Sequence, residues 1–156
     1  MEKPRILLDA DSFPHSARHL VQKAGRRLNI NVIYFANRNI PFEYNSDLFE
    51  MRICENEKDA ADDMIVNECK ENDIVLTRDI LLAKRIVEKN YTVINDRGTL
   101  FTKDNIPRYL EQREENLMFS ELKITSGGKK DAYGKKELHD FACCFDRVMT
   151  EHLSKL

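Results

Sequence analysis

No apolar run in the 156-residue sequence approaches the roughly 18 to 20 residues that a transmembrane helix requires. Charged residues also interrupt the N-terminal segment MEKPRILLDAD, where a signal peptide would carry an uninterrupted apolar core. We therefore expect a cytoplasmic protein with no membrane association. Hydrophobic residues make up 42% and charged residues 33% of the chain, a balance typical of a globular protein, and its length fits one domain over 1–156.

Cysteine is scarce, and the four cysteines form no recognisable metal or redox motif. They include no C-x-x-C pair, and their neighbours are not histidines at zinc-ligand spacing; they are Cys54, Cys69, Cys143 and Cys144. We expect free, buried thiols in a reducing compartment. The sequence also lacks a Ser/His/Asp set, a Walker loop and a G-x-G-x-x-G motif, so these routes to catalysis or phosphate binding have no support.

A large excess of positive charge is also missing. The formal net charge of −2 excludes a strongly basic nucleic-acid coat protein, whose affinity would come mainly from neutralising phosphates. It leaves room for an acidic catalytic pocket with local basic rims.

Strand and helix patterns alternate along the first two thirds of the chain. Apolar runs predict strands at 5–10, 31–36, 49–54, 73–77 and 91–95, and amphipathic or capped segments predict helices at 14–29, 59–71 and 79–90. This alternation over 1–98 predicts a three-layer α/β/α fold with a mainly parallel five-stranded sheet. The alternating segment at 49–54 suits an edge strand.

The C-terminal part, 99–156, has a different pattern. Two helical patterns, at 106–123 and 135–156, are separated by a segment rich in glycine and lysine at 125–134. We expect two C-terminal helices joined by a mobile Gly/Lys loop, with no linker between domains.

Acidic residues recur where the predicted strands end. Asp9 and Asp11 follow the first strand, Asp79 the fourth and Asp96 the fifth. The helix before the fourth strand begins with Asp59, Asp62 and Asp63, and at least one of them can face the same edge. Because parallel strands end on one side of a sheet, these carboxylates are expected to converge there.

Converging carboxylates favour a bound cation. Two such groups near 4 Å repel by about 4 kcal/mol at an effective dielectric of about 20. A set without thiols or imidazoles favours Mg²⁺ or Mn²⁺, which could polarise a phosphoryl oxygen and activate water for phosphodiester hydrolysis. Each acid also has a structural alternative: helix capping for Asp59, Asp62, Asp63 and Asp79, and a turn for Asp96.

Five short motifs carry a resemblance to a known family. DADSFP, DAADDMIV, VLTRDILLA, NDRG and the late SGG resemble the YaiI/YqxD family of bacterial proteins over nearly the whole chain. That family is similar to the PIN (PilT N-terminus) nuclease fold, whose strand ends carry acids that bind Mg²⁺ or Mn²⁺ and cleave RNA. The chain departs from the family at Phe13, where Cys-Pro is usual, and this argues against a catalytic thiol there.

The resemblance implies a set of site residues. The acids matching the metal ligands of the PIN site are Asp9, Asp62, Asp79 and Asp96, and Asp11, a further ligand or a water-orienting base, completes the predicted catalytic set. Thr77 occupies the hydroxyl position before the third acid. Arg78 and Arg97 are each adjacent in sequence to one of these acids, and each could hold a substrate phosphate or form an ion pair with the acids. By position rather than resemblance, Asn37 follows the second strand and can reach the same rim, and SGGKKD could close over a polyanion or be merely a disordered loop. The predicted substrate-binding residues are Asn37, Thr77, Arg78, Arg97, Lys129 and Lys130.

His15 and His19 lie four residues apart on the first predicted helix, a spacing that suits either a transition metal or local pairing on the surface. The leading functional prediction is a Mg²⁺- or Mn²⁺-dependent nuclease that acts on RNA more than on DNA. The alternative is a non-catalytic PIN-like module that binds a nucleotide, RNA or a protein partner. The oligomeric state stays open, a homodimer included.

Overall fold

A computed structural model describes residues 2–57, 59–122 and 132–156. The elements in these residues are β1 (Ile6–Asp9), α1 (His15–Leu28), β2 (Val32–Ala36), β3 (Phe49–Ile53), α2 (Ala60–Glu68), β4 (Ile74–Leu76), α3 (Ile80–Glu88), β5 (Thr92–Ile94), α4 (Ile106–Glu121) and α5 (Lys135–Leu153). None of the helices in these ranges has both the length and the apolar character needed to cross a bilayer.

The five strands form one sheet in the order β3-β2-β1-β4-β5, and every pair is parallel. This confirms the predicted sheet and places β3 at an edge. The strand order reverses between β1 and β4, which pair directly, with Leu8 opposite Leu76. Because open parallel sheets bind ligands in the crevice at such a reversal, the residues after β1 and β4 flank the expected ligand position.

Both faces of the sheet are covered by helices, which explains the continuous apolar runs of the central strands. Ile6 and Leu8 pack in a core cluster with residues of α1 and α5, among them Val21 and Phe141. Leu7 points to the other face, into a cluster formed with α2, α3 and α4. The three predicted layers are therefore present.

Helix α2 departs from the prediction at both ends. Asp59 precedes it with a positive φ of 65°, in the left-handed region, and its side chain makes no capping hydrogen bond. The helix ends at Glu68 because Cys69 adopts an extended conformation, so the segment predicted to run to 71 is shorter. Met64, expected on the buried face, is exposed.

The cysteines also correct one expectation. All four are free, but Cys143 lies exposed on α5, whereas the other three are buried. The sequence pattern of this helix did not show which of the two adjacent cysteines, Cys143 or Cys144, would be buried. The helix turns Cys144 into the core and Cys143 toward solvent.

Candidate metal centre

The carboxyl edge of the sheet carries a cavity of about 320 Å³ with a strongly acidic lining, here called the acidic cavity. It lies beyond the ends of the paired strands β1 and β4, the position expected for a ligand. The acidic residues that line it are Asp9, Asp11, Glu55, Glu57, Asp59, Asp62 and Asp79. Four of the five predicted catalytic acids therefore lie together.

Asp9 is held in place by the buried hydroxyl of Thr77. Thr77 Oγ1 donates to Asp9 Oδ2 at 2.8 Å and accepts from the backbone N–H of Asp79 at 3.0 Å. Thr77 has no exposed surface, so its hydroxyl positions two acids of the cavity. Burial raises the pKa of Asp9, the hydrogen bonds from Thr77 and Ser12 oppose that shift, and the charges of Asp79 and Asp11 add to it.

Asp79 and Asp62 reach the acidic cavity from the starts of two different helices, α3 and α2. Asp79 caps α3, because its Oδ1 accepts from the backbone N–H of Leu81 at 2.9 Å. The predicted capping role of Asp79 is thus present together with its place in the cavity. Asp62, half-buried on α2, shares a hydrogen bond with Asp79. Burial, the charges of Asp79 and Asp9 and this bond raise the pKa of Asp62 from 3.8 to about 7.

Asp11 lies on the rim, where it binds the segment that leaves β2. Its carboxylate accepts from the backbone N–H of Asn37 at 3.1 Å and from Arg38 Nε at 3.3 Å. Asn37 lines the acidic cavity as predicted, and its side-chain amide donates to Asn56 Oδ1 at 3.0 Å. Asp11 therefore fixes one wall of the cavity while keeping its carboxylate at the opening.

Asp96 lies apart from the other predicted ligands. It is buried and does not line the acidic cavity, and its Oδ2 lies 3.3 Å from Arg78 Nε. Burial raises the pKa of Asp96, whereas the charges of Arg78 and Arg97 lower it. Arg97 also lies 3.8 Å from Glu137 on α5. An ion pair was one of the two roles that the sequence suggested for Arg78, and Arg78 forms it with Asp96.

The remaining predictions concern surface residues. Lys129 and Lys130 lie outside the described residues, as does most of the predicted Gly/Lys loop at 125–134. His15 and His19 each contact one carboxylate oxygen of Glu43. This is local pairing, one of the two alternatives for these histidines, and it lies away from the acidic cavity.

Two acids of the cavity, Glu55 and Glu57, were missed from the sequence. They follow β3 in the stretch RICENE, as Asp9 and Asp11 follow β1. Acids that follow parallel strands were expected at this edge of the sheet. Applying the same rule to β3 could have identified both glutamates.

The donor chemistry of the acidic cavity suits a hard divalent cation. The donors are carboxylates held close together, and burial together with the charges of Asp79 and Asp9 raises the pKa of Asp62. Within residues 2–57, 59–122 and 132–156, however, no three His, Cys, Asp or Glu side chains are already arranged to hold a metal ion. Because Thr77 and α3 hold Asp9 and Asp79 in place, binding an ion would require the Asp62 side chain to move toward them.

Replacing Asp62 should change how stability depends on pH in the metal-free protein. Between about pH 4 and pH 7 folded Asp62 keeps a proton that the unfolded chain releases, so the free energy of unfolding falls as pH rises. Asp62→Asn should flatten this decline and add about 1 to 2 kcal/mol at pH 8, since solvent screens a half-buried group. Urea unfolding in EDTA at pH 5 and pH 8 measures the difference.

The neighbouring Asp63→Asn variant is the matched control for this measurement. Asp63 is exposed on the same helix and pairs with Arg85 at 2.8 Å. Its replacement should leave the slope with pH unchanged. Equal slopes for wild type and Asp62→Asn would contradict the crowding of carboxylates around Asp62.

Comparisons with known proteins follow the same motifs. The family model described as "Uncharacterized BCR, YaiI/YqxD family" matches residues 7–151. A UPF0178 protein of Treponema denticola is 42% identical over 153 residues, covering 97% of this chain and 95% of the relative. UPF0178 proteins of Pseudoalteromonas atlantica and Sulfurovum sp. are 33% and 36% identical, covering 94% of this chain and 99% and 98% of the relatives.

Comparison with solved structures found no match. The all-parallel sheet is compatible with the PIN-like fold that the resemblance implied. The five motifs that predicted the family all lie within the matched region, from DADSFP near the N-terminus to SGG at 126–128. Because the family model and the relatives cover almost the entire sequence, this chain belongs to the YaiI/YqxD family.

Proposed function

We propose that the protein is a Mg²⁺- or Mn²⁺-dependent nuclease that hydrolyses phosphodiester bonds, in RNA rather than DNA. The observation that carries the proposal is the meeting of Asp9, Asp62 and Asp79 in one cavity where the strand order reverses. RNA is the proposed substrate because the likeness to PIN nucleases implies RNA cleavage.

Three of the four predicted ligands would hold the ion: Asp9, Asp62 and Asp79. A bound Mg²⁺ or Mn²⁺ would supply a Lewis acid for a phosphoryl oxygen and lower the pKa of a coordinated water. Thr77 keeps the Asp9 carboxylate in one orientation, and α3 does the same for Asp79. Asp11, at the rim, is the candidate for orienting the attacking water.

Arg78 would contact the substrate phosphate beside the acids. Its side chain is about half exposed, and its Nε lies 3.3 Å from Asp96 Oδ2. A guanidinium group carries five N–H donors, so an arginine in an ion pair with one carboxylate can still donate to a phosphate. In this proposal the fourth predicted acid, Asp96, positions Arg78.

Titration with Mn²⁺ tests the metal site and the activity together. Millimolar Mn²⁺ should raise the thermal midpoint of the wild-type protein, because an ion that binds only the folded state stabilises it. The same preparation should cleave a fluorescent single-stranded RNA, and EDTA should stop the cleavage. An unchanged midpoint together with no cleavage would reject the nuclease proposal.

A non-catalytic binding module is the second candidate, and the exposed end of α4 favours it. Four apolar side chains there have about half or more of their surface exposed: Leu117, Met118, Phe119 and Leu122. Exposed apolar patches of this kind mark interaction surfaces in many proteins. Stabilisation by Mn²⁺ without cleavage of RNA or DNA at high protein concentration would favour this candidate.

A further inference from the structure

A second cavity adjoins the acidic cavity across Asp79, which lines both. It has a volume of about 380 Å³ and lies between the ends of β4 and β5 and helix α4. We call it the α4 cavity. Its polar lining besides Asp79 consists of Arg78, Asn95, Tyr109, Gln112, Arg113 and Asn116. A ligand that extends from one cavity to the other must pass Asp79.

The charge of the α4 cavity is opposite to that of its neighbour. Arg78 and Arg113 line it, and Asp79 is the one acid among its described lining residues. Arg113 lies on the exposed face of α4 and takes part in none of the ion pairs found in the described part of the chain. Two guanidinium groups at one opening suit the phosphates of a nucleic-acid strand.

Part of the lining of the α4 cavity is apolar and aromatic. Phe101 packs edge-on against Tyr109 with ring centroids 5.3 Å apart, and Ile80 and Leu117 add aliphatic surface. Amide groups accompany this surface. Asn95 Oδ1 already accepts from two backbone N–H groups, so its NH₂ group is left to donate. Apolar surface with a few amides is suited to a nucleobase.

We infer that the α4 cavity binds the nucleotide next to the scissile phosphate of a single-stranded nucleic acid. The inference rests on the proposed function, because it places the reacting phosphate beside Asp79 in the acidic cavity. A paired base is stacked inside a duplex and is not free to enter a side-chain-lined cavity, whereas an unpaired base is. Arg113 and Arg78 then neutralise the phosphates on either side of that base.

Arg113→Ala tests the inference. Anisotropy of fluorescent single-stranded RNA and DNA of one sequence is measured in Ca²⁺, a hard cation that occupies carboxylate sites. Arg113→Ala should weaken binding at least about fivefold and reduce the dependence of log K on log salt by about 0.7, the loss of one phosphate contact. Tighter binding of either single strand than of the duplex supports the inference.

Arg147→Ala is the matched control, because Arg147 is an exposed arginine on α5, in the opposite helical layer. It should bind the strand within twofold of wild type. Wild-type affinity in Arg113→Ala, an equal loss in Arg147→Ala, or equal affinity for the duplex would overturn the inference. Calorimetry of Mn²⁺ binding separates the metal-site proposal from the α4-cavity proposal. If wild type does not bind Mn²⁺, the metal site is rejected. If Arg113→Ala still binds Mn²⁺, only the contact with the nucleic-acid strand was lost.

Discussion

Asp9→Asn should lower the rate of RNA hydrolysis on the order of a thousandfold, the scale of losing a group essential to the chemical step. The fold should survive, because the asparagine Oδ1 can accept the same hydrogen bond from Thr77 Oγ1 that Asp9 Oδ2 accepts at 2.8 Å. What is lost is the negative charge at the end of β1, and with it the attraction for a cation. The rate of cleavage of fluorescent RNA in saturating Mn²⁺ is the measurement.

The same variant should have opposite effects on stability with and without metal. Burial raises the pKa of Asp9, so charging this carboxyl group costs free energy in the metal-free folded state. Asp9→Asn should therefore raise the thermal midpoint in EDTA and reduce the further gain caused by Mn²⁺. If Mn²⁺ raises the thermal midpoint of Asp9→Asn as much as that of wild type, whatever the activity or stability of the variant, a role for Asp9 in metal binding is contradicted.

Asp63→Asn serves as the control for these measurements. It removes one carboxylate from α2, but Asp63 is exposed, lies outside the acidic cavity and pairs with Arg85. Both the rate and the Mn²⁺ effect should stay within about twofold of wild type. A comparable loss of rate in this variant would indicate a general effect of charge on a polyanionic substrate.

The part of this site that could be predicted depends on strand ends. An apolar run such as Ile6–Leu8 indicates a buried strand, and parallel strands all end at one edge, so acids after β1 and β4 were expected to meet. The order of the strands was not predictable, because alternation does not say whether β4 pairs with β1 or with β3. That pairing creates the crevice between Asp9 and Asp79.

The part that could not be predicted depends on side-chain directions near turns and helix ends. Asp59 and Asp62 both lie at the start of α2. Which of them faces Asp79 depends on how the helix is rotated about its axis, and in the structure Asp62 does, following a left-handed backbone at Asp59. Asp96 follows β5 as expected, yet its side chain is buried against Arg78. The Asp96 side chain could either be buried beside Arg78 or join the other acids in the acidic cavity. The positions of the strand ends in the sequence do not decide between these two orientations.

Gly98→Ala should be the most destabilising single substitution among those considered for the fold. Gly98 has a φ of +81°, which costs an L-residue free energy, and a Cβ there would come within 2.8 Å of the Asp140 carbonyl carbon on α5. The atoms it would meet are backbone atoms of a helix, so they cannot move aside alone. We expect a loss of about 3 kcal/mol or more, seen as a thermal midpoint lower by roughly 6 to 12 °C.

The reason for so large an effect is the position of the clash beneath α5. Phe141, the residue after Asp140, is fully buried and packs edge-on against Phe13 at 5.5 Å, so displacing α5 opens one of the two apolar layers. Gly134→Ala is the matched control: among the described residues, its Cβ would meet only the flexible Glu137 side chain, at 3.3 Å. That variant should lose about 1 kcal/mol or less. Equal midpoints for the two variants would show that α5 does not require glycine at position 98.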